Sequence, residues 1–357
     1  MPTSPSTLTE AEARARAELV GGVSYSIELD LTEEGPCFGF AARVDFAATQ
    51  PGSRTFLELE VAELRTMLWN GETLDPSAYD GHRVALPALQ ERNSLTIEGR
   101  AAYDLTGLGM HRSVDPVDGS AYIYSDLQPY EAHRSFPCFD QPDIKGSIRL
   151  RVRVPEEWLV VSAELAQPEE VDPGDGCRWW GFPPTMPLAP YVLGLAAGPF
   201  HKVERQHGAI PLGLYCARSL AAYLDADELF QVTANGLDYF ERVFQIPYPF
   251  AKYDQVFCPE KVDSAMESPG CVTITDQYLW RGQPTVRQRS VRADVILHEM
   301  AHMWFGDLVT MRWWDDLWLN ESFATLMAVF AVDAATDFDD AWVGFATFNK
   351  QVGSRVD

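Results

Sequence analysis

Positive charge is the clearest shortage in this sequence of 357 residues. Lysine and arginine together number 28 against 52 aspartate and glutamate residues, which gives a formal net charge of −24. So acidic a surface repels phosphate backbones, and the composition therefore argues against nucleic acid as a partner. It leaves open whether the acidic surface attracts cationic substrates or only keeps the protein in solution.

The sequence also has few features of exported or membrane proteins. Residues 1–19 contain no apolar core of the kind that a signal peptide needs. We find no run long and apolar enough to span a bilayer, no internal repeat and no low-complexity tract. The few cysteines lack the spacing of metal ligands and are expected to be reduced: Cys37, Cys138, Cys177, Cys216, Cys258 and Cys271. These absences predict a cytoplasmic protein that does not contact membranes.

The first part of the chain has the period of two that is typical of half-buried β-strands. A short polar helix is predicted over residues 8–19. Alternating segments follow at 24–31, 38–46, 55–61, 93–99, 147–155, 158–163 and 191–197. Pairs typical of hairpin turns occur at Asn70-Gly71, Asp80-Gly81 and Asp118-Gly119. This pattern predicts an all-β domain, a sandwich, at residues 1–203.

After residue 203 the pattern becomes mixed. Residues 218–244 have helical periodicity, residues 253–258 are typical of a strand, and two apolar helices follow them. The sequence therefore predicts a second domain, of α and β elements, at residues 204–357.

The segment 295–305 contains two histidines four positions apart, with Glu299 directly after the first of them. Positions four apart share one face of an α-helix, so the imidazoles of His298 and His302 can bind one Zn²⁺. Glu299 can then reach a metal-bound water. Flanking apolar residues predict a buried helix that ends near Gly306. The alternative is chance, which produces this five-residue pattern in about one of a hundred such chains.

A carboxylate in the next apolar helix weakens that alternative. Glu321 lies within residues 317–330, a predicted buried helix with Asp315 or Asp316 as its cap. A lone carboxylate in so apolar a helix needs a partner, and Zn²⁺ is the obvious one. His298, His302 and Glu321 would leave the fourth coordination position to water, as in catalytic zinc sites.

This array, followed by Ser-Phe-Ala at 322–324, resembles the zinc aminopeptidases of the M1 family, which are gluzincins. The segment 264–268, Ser-Ala-Met-Glu-Ser, resembles the G-A-M-E-N motif of that family. The segments 109–119 and 135–142 are similar to its aminopeptidase N branch, as found in actinobacteria. The resemblance covers nearly the whole chain, and its motifs occur in the order and at the distances of the family.

The resemblance implies a multi-domain fold of the β plus α/β class. An N-terminal antiparallel β-sandwich or saddle domain would precede the first half of a thermolysin-like catalytic domain. It also implies a zinc aminopeptidase that hydrolyses the first peptide bond of peptides with a free N-terminus. His298, His302 and Glu321 would hold one zinc ion per chain. Glu299 would be the general base, taking a proton from the attacking water and passing it to the leaving amine.

The resemblance also implies how the substrate is held. Glu267 matches the glutamate that binds the free α-ammonium by a charge-assisted hydrogen bond; the alternative is an ordinary surface glutamate. Gln128 matches a residue that binds the same ammonium from the β domain, which puts the site at the domain interface. Ser264, Ala265 and Met266 belong to an extended edge along which the substrate backbone lies.

Three positions differ from the family pattern. Ser264 and Ser268 replace a glycine and an asparagine of the G-A-M-E-N motif. The additional Cβ at Ser264 is expected to alter substrate fit. Asp126 stands where relatives carry a glutamine of the first subsite. This extra carboxylate is expected to favour basic N-terminal residues.

The end of the sequence raises a second possibility. A helix predicted over 343–353 is unfinished at Asp357, whereas family members continue to a tyrosine that stabilises the oxyanion. No tyrosine follows Tyr278 here, and a missing oxyanion donor costs about 10²–10³ in rate. One interpretation is therefore a zinc aminopeptidase whose complete reaction needs further sequence. The alternatives are a truncated, catalytically weak or dead fragment that binds zinc and peptide, and an endopeptidase, against which the Glu267 match argues.

Other notable side chains are expected to be structural. The remaining histidines are predicted to lie in loops or on the surface: His82, His111, His133, His201 and His207. Met303 and Trp304 are predicted to be core residues, and so are the tryptophans between the two zinc helices: Trp313, Trp314 and Trp318. Asn320 and Asp316 are candidate hydrogen-bond partners of the zinc ligands. The sequence does not indicate an oligomeric state.

Overall fold

The computed structural model describes residues 7–351. Its first half consists mainly of β-strands. In chain order they are β1 (Val20–Asp30), β2 (Cys37–Ala48), β3 (Thr55–Glu58), β4 (Glu63–Trp69), β5 (Glu72–Thr73), β6 (Arg83–Leu86), β7 (Arg92–Ala102), β8 (Gly109–Val114), β9 (Ala121–Asp126), β10 (Gly146–Pro155), β11 (Leu159–Ser162), β12 (Gln167–Pro168), β13 (Cys177–Phe182) and β14 (Leu195–Gly198).

These strands form a sandwich. The larger sheet has the order β12-β13-β10-β1-β2-β7-β4-β5, and the smaller has the order β11-β14-β9-β8. Strands β3 and β6 form a separate ribbon. Inward-facing residues of both sheets, such as Ile27, Val44, Ile97 and Ala197, share one apolar core. The predicted sandwich is therefore confirmed, although β1 and β10 pair in parallel and the sheet is not wholly antiparallel.

Helix α1 (Glu10–Leu19) closes one end of this half and confirms the predicted N-terminal helix. Thr9 and Glu12 form a reciprocal capping box at its start. The Arg16 guanidinium is buried and lies 2.8 Å from the carboxylate of Glu58, at the end of β3. The helix is thus anchored by an ion pair as well as by apolar packing.

The second half is an α/β unit. Its strands are β15 (His201–His207), β16 (Ile210–Cys216), β17 (Tyr253–Cys258), β18 (Ala265–Met266) and β19 (Val272–Thr275), in the order β15-β16-β17-β19-β18. Its helices are α2 (Ala226–Phe244), α3 (Val286–His302), α4 (Leu317–Ala335) and α5 (Ala341–Gly344), with a π-helical turn at Phe345–Asn349. Strands β16, β17 and β19 are parallel, and both edge strands are antiparallel. This arrangement confirms the multi-domain β plus α/β class.

Strand β9 contributes side chains to the apolar cores of both halves. In β9, Ile123 points into the core of the sandwich, whereas Tyr122 and Tyr124 point into the core of the α/β unit. Because side chains alternate along a strand, the residues that continue the even-numbered face also point towards the second half. The division predicted at residues 203 and 204 stays a prediction; the change of sheet falls between Gly198 and His201.

Several predicted elements have different bounds. The helix predicted over 218–244 is a 3₁₀ segment at Arg218–Tyr223 followed by α2, because Leu224 adopts an extended conformation. Part of the strand predicted over 191–197 is a 3₁₀ turn at Pro190–Val192, where the proline has no N–H for a ladder. Helix α3 ends at His302, four residues before Gly306.

Helix α4 is only half buried, contrary to the prediction. Leu319, Leu326 and Phe330 lie on one face of the helix and are each between about a third and a half exposed. The segment Trp314–Ala335 is also long and apolar enough, by length and composition only, to cross a membrane. The expectation that the chain contains no such run was wrong, although length and composition alone are weak evidence for a span.

Candidate metal centre and substrate pocket

Helix α3 brings the two histidines of the motif together. Its start is fixed by a capping box between Thr285 and Gln288. One turn of helix separates His298 from His302, and their Nε2 atoms lie 3.0 Å apart. Both rings therefore direct the same nitrogen towards one point.

Glu321 approaches that point from α4. Its Oε2 atom lies 3.3 Å from Nε2 of His298 and 3.5 Å from Nε2 of His302. Helices α3 and α4 pack against each other, and this contact fixes the separation. The three atoms form a nearly equilateral triangle of potential ligands.

The triangle has the dimensions that a zinc ion requires. Ligands at 2.0–2.1 Å from a tetrahedral ion are about 3.3 Å from one another. The observed separations of 3.0, 3.3 and 3.5 Å bracket this value. The three residues fit a metal ion, and so does the chemistry of two imidazoles and a carboxylate.

The opposite nitrogen of each ring has a polar neighbour. Nδ1 of His302 lies 3.2 Å from the Phe305 carbonyl oxygen, which accepts a hydrogen bond and leaves Nε2 free as a ligand. Nδ1 of His298 lies 3.4 Å from the Thr325 hydroxyl. Thr325 was not among the residues predicted from the sequence, although its position one helical turn after Glu321 was a usable signal.

Burial and mutual charge strongly perturb the carboxylates of the site. Burial raises the pKa of Glu267 and raises that of Glu299 well above its ordinary value. Burial would lower the pKa of His302, but the charges of Glu267, Glu321 and Glu299 raise it to about 10. Glu321 is also desolvated, yet its contacts with both histidines keep its pKa low. A divalent cation would balance this surplus of negative charge.

Gln128 connects the β domain to this cluster. Its Nε2 atom lies 3.4 Å from Oε1 of Glu267 and 3.4 Å from Oε1 of Glu321. A cavity of about 350 Å³ opens here between the two halves of the protein. Its lining comes from the end of β9, from β18 and its flanks, and from the two helices: Asp126, Gln128, Asp263, Ser264, Ala265, Met266, Glu267, Asp294, Val295, His298, Glu299, Glu321 and Thr325.

The segment 264–268 lies where an extended edge was expected. Ala265 and Met266 form β18, the edge strand beside β19. Ser264 is exposed in the cavity wall. Ser268 is buried away from the cavity and faces Gly194. A Cβ added at Gly194 would lie 2.5 Å from the Cβ atom of Ser268. The change at Ser268 therefore affects domain packing rather than the cavity lining.

Asp126 differs from its expected role. The prediction was that its carboxylate favours basic N-terminal residues, but the structure pairs it with the buried ammonium of Lys261. The side chain of Lys261 has no exposed surface, and that of Asp126 has 6%. The negative charge of Asp126, which was expected to be free for a substrate, is therefore paired within the protein.

Several structural expectations were wrong. His111 and His133 are buried, and Nδ1 of His133 lies 2.7 Å from the Asp140 carboxylate. Trp318 is 67% exposed because it lies on the outer side of α4. Asp316 is the N-cap of α4, but it is exposed and its side chain makes no capping bond.

The outcomes of the other expectations about core and ligand-partner residues are mixed. Met303 and Trp304 are buried, as predicted. Trp313 and Trp314 are half-buried, and Trp314 packs edge-on against Tyr191 rather than between the helices. Asn320 is buried near Gly306, at the His302 end of α3, but its amide has no partner among residues 7–351.

Comparison with known proteins defines the class. The Peptidase M1 N-terminal domain matches residues 77–192, and the Peptidase family M1 domain matches residues 229–356. The two matches together cover more than half of the chain and lie in the order of the two structural halves. The chain belongs to peptidase family M1.

Individual relatives agree with this assignment. The chain is 44% identical to Aminopeptidase N of Streptomyces lividans over 98% of its own length and 41% of the relative. It is 35% identical to Leucyl aminopeptidase of Saccharolobus solfataricus, over 58% of this chain and 26% of that one. It is 31% identical to human Glutamyl aminopeptidase, over 75% and 27%. The chain thus spans less than half the length of these relatives.

Proposed function

We propose that this chain holds one zinc ion and recognises the N-terminus of peptides, as part of a zinc-dependent aminopeptidase. The observation that carries the proposal is the triangle formed by His298, His302 and Glu321. Its dimensions suit the ion, and its three protein ligands leave a fourth position open, as catalysis requires. When bound, the ion would supply Lewis acidity, which polarises a carbonyl and lowers the pKa of water.

Glu267 and Gln128 account for the selection of a free N-terminus. The Glu267 carboxylate is buried next to the metal ligands, where a substrate ammonium would relieve its desolvation. The amide of Gln128 lies beside it and can accept a hydrogen bond from the same ammonium through its oxygen. A peptide with an acetylated N-terminus would leave Glu267 buried without a cation, which is costly.

Glu299 is suited to the proton transfers. It is buried and lines the cavity, and one of its carboxylate oxygens lies within 4.8 Å of a ring nitrogen of His302, so it can reach a water at the metal position. We propose that Glu299 takes a proton from the attacking water and passes it to the leaving amine. The cavity wall at Ser264, Ala265 and Met266 would hold the substrate backbone.

Metal content tests this proposal. The purified chain should contain one zinc ion per molecule by mass spectrometry of the metal, and His298→Ala and Glu321→Ala should each lower this content severalfold. His207→Ala is the matched control, because His207 is paired only with Asp238 on the surface. Equal metal content in all four proteins would contradict the proposal.

A fragment that binds but does not turn over substrate is a second candidate. In the described part of the chain, the lining of the 350 Å³ cavity contains no tyrosine that could stabilise an oxyanion. A fluorogenic aminoacyl amide separates the candidates. Turnover that disappears in Glu299→Gln supports the enzyme, whereas zinc-dependent binding of a peptide without turnover supports the fragment.

We also propose a cellular compartment for the protein. The six cysteines are all free, which agrees with a reducing compartment, so we propose a cytoplasmic protein without nucleic acid or membrane partners.

A further inference from the structure

A buried ion pair stands directly behind the cavity wall. Asp126 is the last residue of β9, and Lys261 lies in the loop that follows β17. The Lys261 ammonium donates a hydrogen bond to the Asp126 carboxylate and lies 5.7 Å from the centre of the Tyr124 ring. An ammonium with no exposed surface is rare without a partner, so this pair is a built feature of the site.

Only one member of the pair reaches the cavity. Asp126 belongs to the lining, whereas Lys261 lies behind it. Asp126 is two residues before Gln128, and Gln128 lies 3.4 Å from both Glu267 and the metal ligand Glu321. The pair therefore borders the place where the first residue of a substrate would lie.

This location identifies the part of the substrate that meets the pair. A peptide held by its ammonium at Glu267 and by its first carbonyl near the metal ligands has two fixed points. The side chain of its first residue is left to meet the remaining wall, of which Asp126 is a part. The charge that this wall presents then decides which side chains it accepts.

We propose that Lys261 determines the charge preference of this wall: by holding the Asp126 carboxylate in an internal ion pair, it selects peptides whose first residue is uncharged. This inference rests on the proposed function. A basic side chain would find its carboxylate already occupied, and an acidic one would meet the carboxylate without access to the ammonium. Replacement of Lys261 by a neutral residue leaves the Asp126 carboxylate free and should favour basic first residues. Replacement of Asp126 by a neutral residue leaves the Lys261 ammonium free and should favour acidic ones.

Apart from Glu267, Glu299 and Glu321, the cavity lining has two more carboxylates, and they do not confuse this test. Asp263 is exposed to solvent, and Asp294 lies on α3 one turn before His298. Both remain in every variant, so their own contribution to binding is the same in all of them.

The first experiment measures binding of two amino-acid hydroxamates to the zinc-loaded chain. Norleucine hydroxamate and lysine hydroxamate have side chains of similar shape that differ in a terminal ammonium. The native chain should prefer norleucine. Lys261→Met should shift the ratio of dissociation constants towards lysine by about 10- to 100-fold, the value of one charge-assisted hydrogen bond.

The reciprocal experiment uses glutamine and glutamate hydroxamates. Asp126→Asn leaves the Lys261 ammonium without its carboxylate and should shift the ratio towards glutamate. The double variant with both changes has no charge at either position and should return both ratios to those of the native chain. It also keeps the test decisive if a single variant does not fold, because a neutral pair replaces an ion pair of similar volume.

Lys252→Met is the matched control. Lys252 forms another buried ion pair, with Asp254, which lies outside the cavity, so its loss should change stability but neither ratio. Ratios in folded Lys261→Met and Asp126→Asn that stay within about threefold of the native values would overturn the proposal. A double variant whose ratios differ from the native values by more than about threefold would also overturn it. If the native chain holds no zinc and binds neither probe, the proposed function itself fails, and this inference fails with it.

Discussion

Burial shifts the pKa of several single side chains in this protein towards the value that favours their neutral form. Desolvation raises the pKa of Glu299, whereas it lowers the pKa of His298 and that of Lys145. Each of these shifts favours the neutral form of the group. The formal charge counted from the sequence therefore overstates the charge that these buried groups carry.

A carboxylate away from the site gives a direct test of this effect. Burial, helped by the charge of Asp115, raises the pKa of Asp276 from its ordinary value of 3.8 to about 6. The folded chain then binds a proton more tightly than the unfolded chain, so stability falls as the pH rises from about 4 to 6. Above pH 6, Asp276 is ionised and the folded state bears the full free-energy cost of burying its charge. Asp276→Asn should therefore stabilise the protein at pH 8 by about 1–2 kcal/mol after allowance for solvent screening, and not at pH 4.

Urea denaturation at the two pH values measures this difference. The exposed Asp339 has no such environment, and Asp339→Asn should leave stability unchanged at both. An equal gain for Asp276→Asn at pH 4 and pH 8 would show that the charge of Asp276 is not responsible.

Residue types and spacing allowed the candidate metal ligands to be predicted, because His298 and His302 are one helical turn apart and Glu321 is a lone carboxylate in the next apolar helix. The state of Asp126 was not predictable. Its partner Lys261 is 135 residues away in the chain, and no local pattern connects them. The buried pair of His133 and Asp140, seven positions apart, was also missed, because His133 was predicted to lie in a loop or on the surface.

At the scale of elements, close contact between the two halves depends on a glycine. Gly194 lies just before β14 and faces the segment that follows Glu267. A Cβ at Gly194 would lie 2.5 Å from Cβ of Ser268 and 2.9 Å from the carbonyl oxygen of Cys271. Neither atom is the free end of a flexible side chain, so the segment itself would have to move.

Gly194→Ala should therefore separate substrate binding from metal binding. We expect a loss of about 1–3 kcal/mol in the free energy of unfolding from overpacking. Norleucine hydroxamate should bind more weakly because Glu267 is displaced, while zinc content stays at the native level. Unfolding in urea and a binding titration measure the two effects. Gly282→Ala, where an added Cβ meets nothing within 4 Å, should change neither, and native-like binding by Gly194→Ala would disprove the proposed coupling.

Periodicity predicted the type of most elements and failed where an element has two environments. Helix α4 was expected to be buried because its residues are apolar on all sides. In the structure one face packs against α2 and α3, and the opposite face is open. The amino-acid composition shows that both faces are apolar, but only the packing shows which face is buried.

At the scale of the molecule, that open face is an apolar surface. Leu319, Leu326 and Phe330 form a stripe along α4, and Phe330 packs edge-on against the half-exposed Trp342. Contiguous exposed apolar surface promotes association. We expect the chain to bind the dye ANS and to self-associate at micromolar concentration in sedimentation experiments.

Charge on the stripe should reverse both properties. The double change Leu326→Lys and Phe330→Lys should lower dye fluorescence and restore a monomer, with zinc content unchanged, because Glu321 lies on the opposite side of α4. Leu105→Lys with Val117→Lys, at exposed apolar positions of the β domain away from α4, is the control. Association that persists in the α4 variant would place the interface elsewhere.

Strand β9 has a consequence for how such a protein can be divided or recombined. Ile123 belongs to the core of the sandwich, whereas Tyr122 and Tyr124 belong to the core of the α/β unit. Asp126, the last residue of the strand, lines the cavity. Exchange of residues 1–200 between two proteins of this kind would carry the cavity wall along with the sandwich. The ammonium of Lys261 would then meet a foreign residue, so a chimera would need repair at that position before it could be selective.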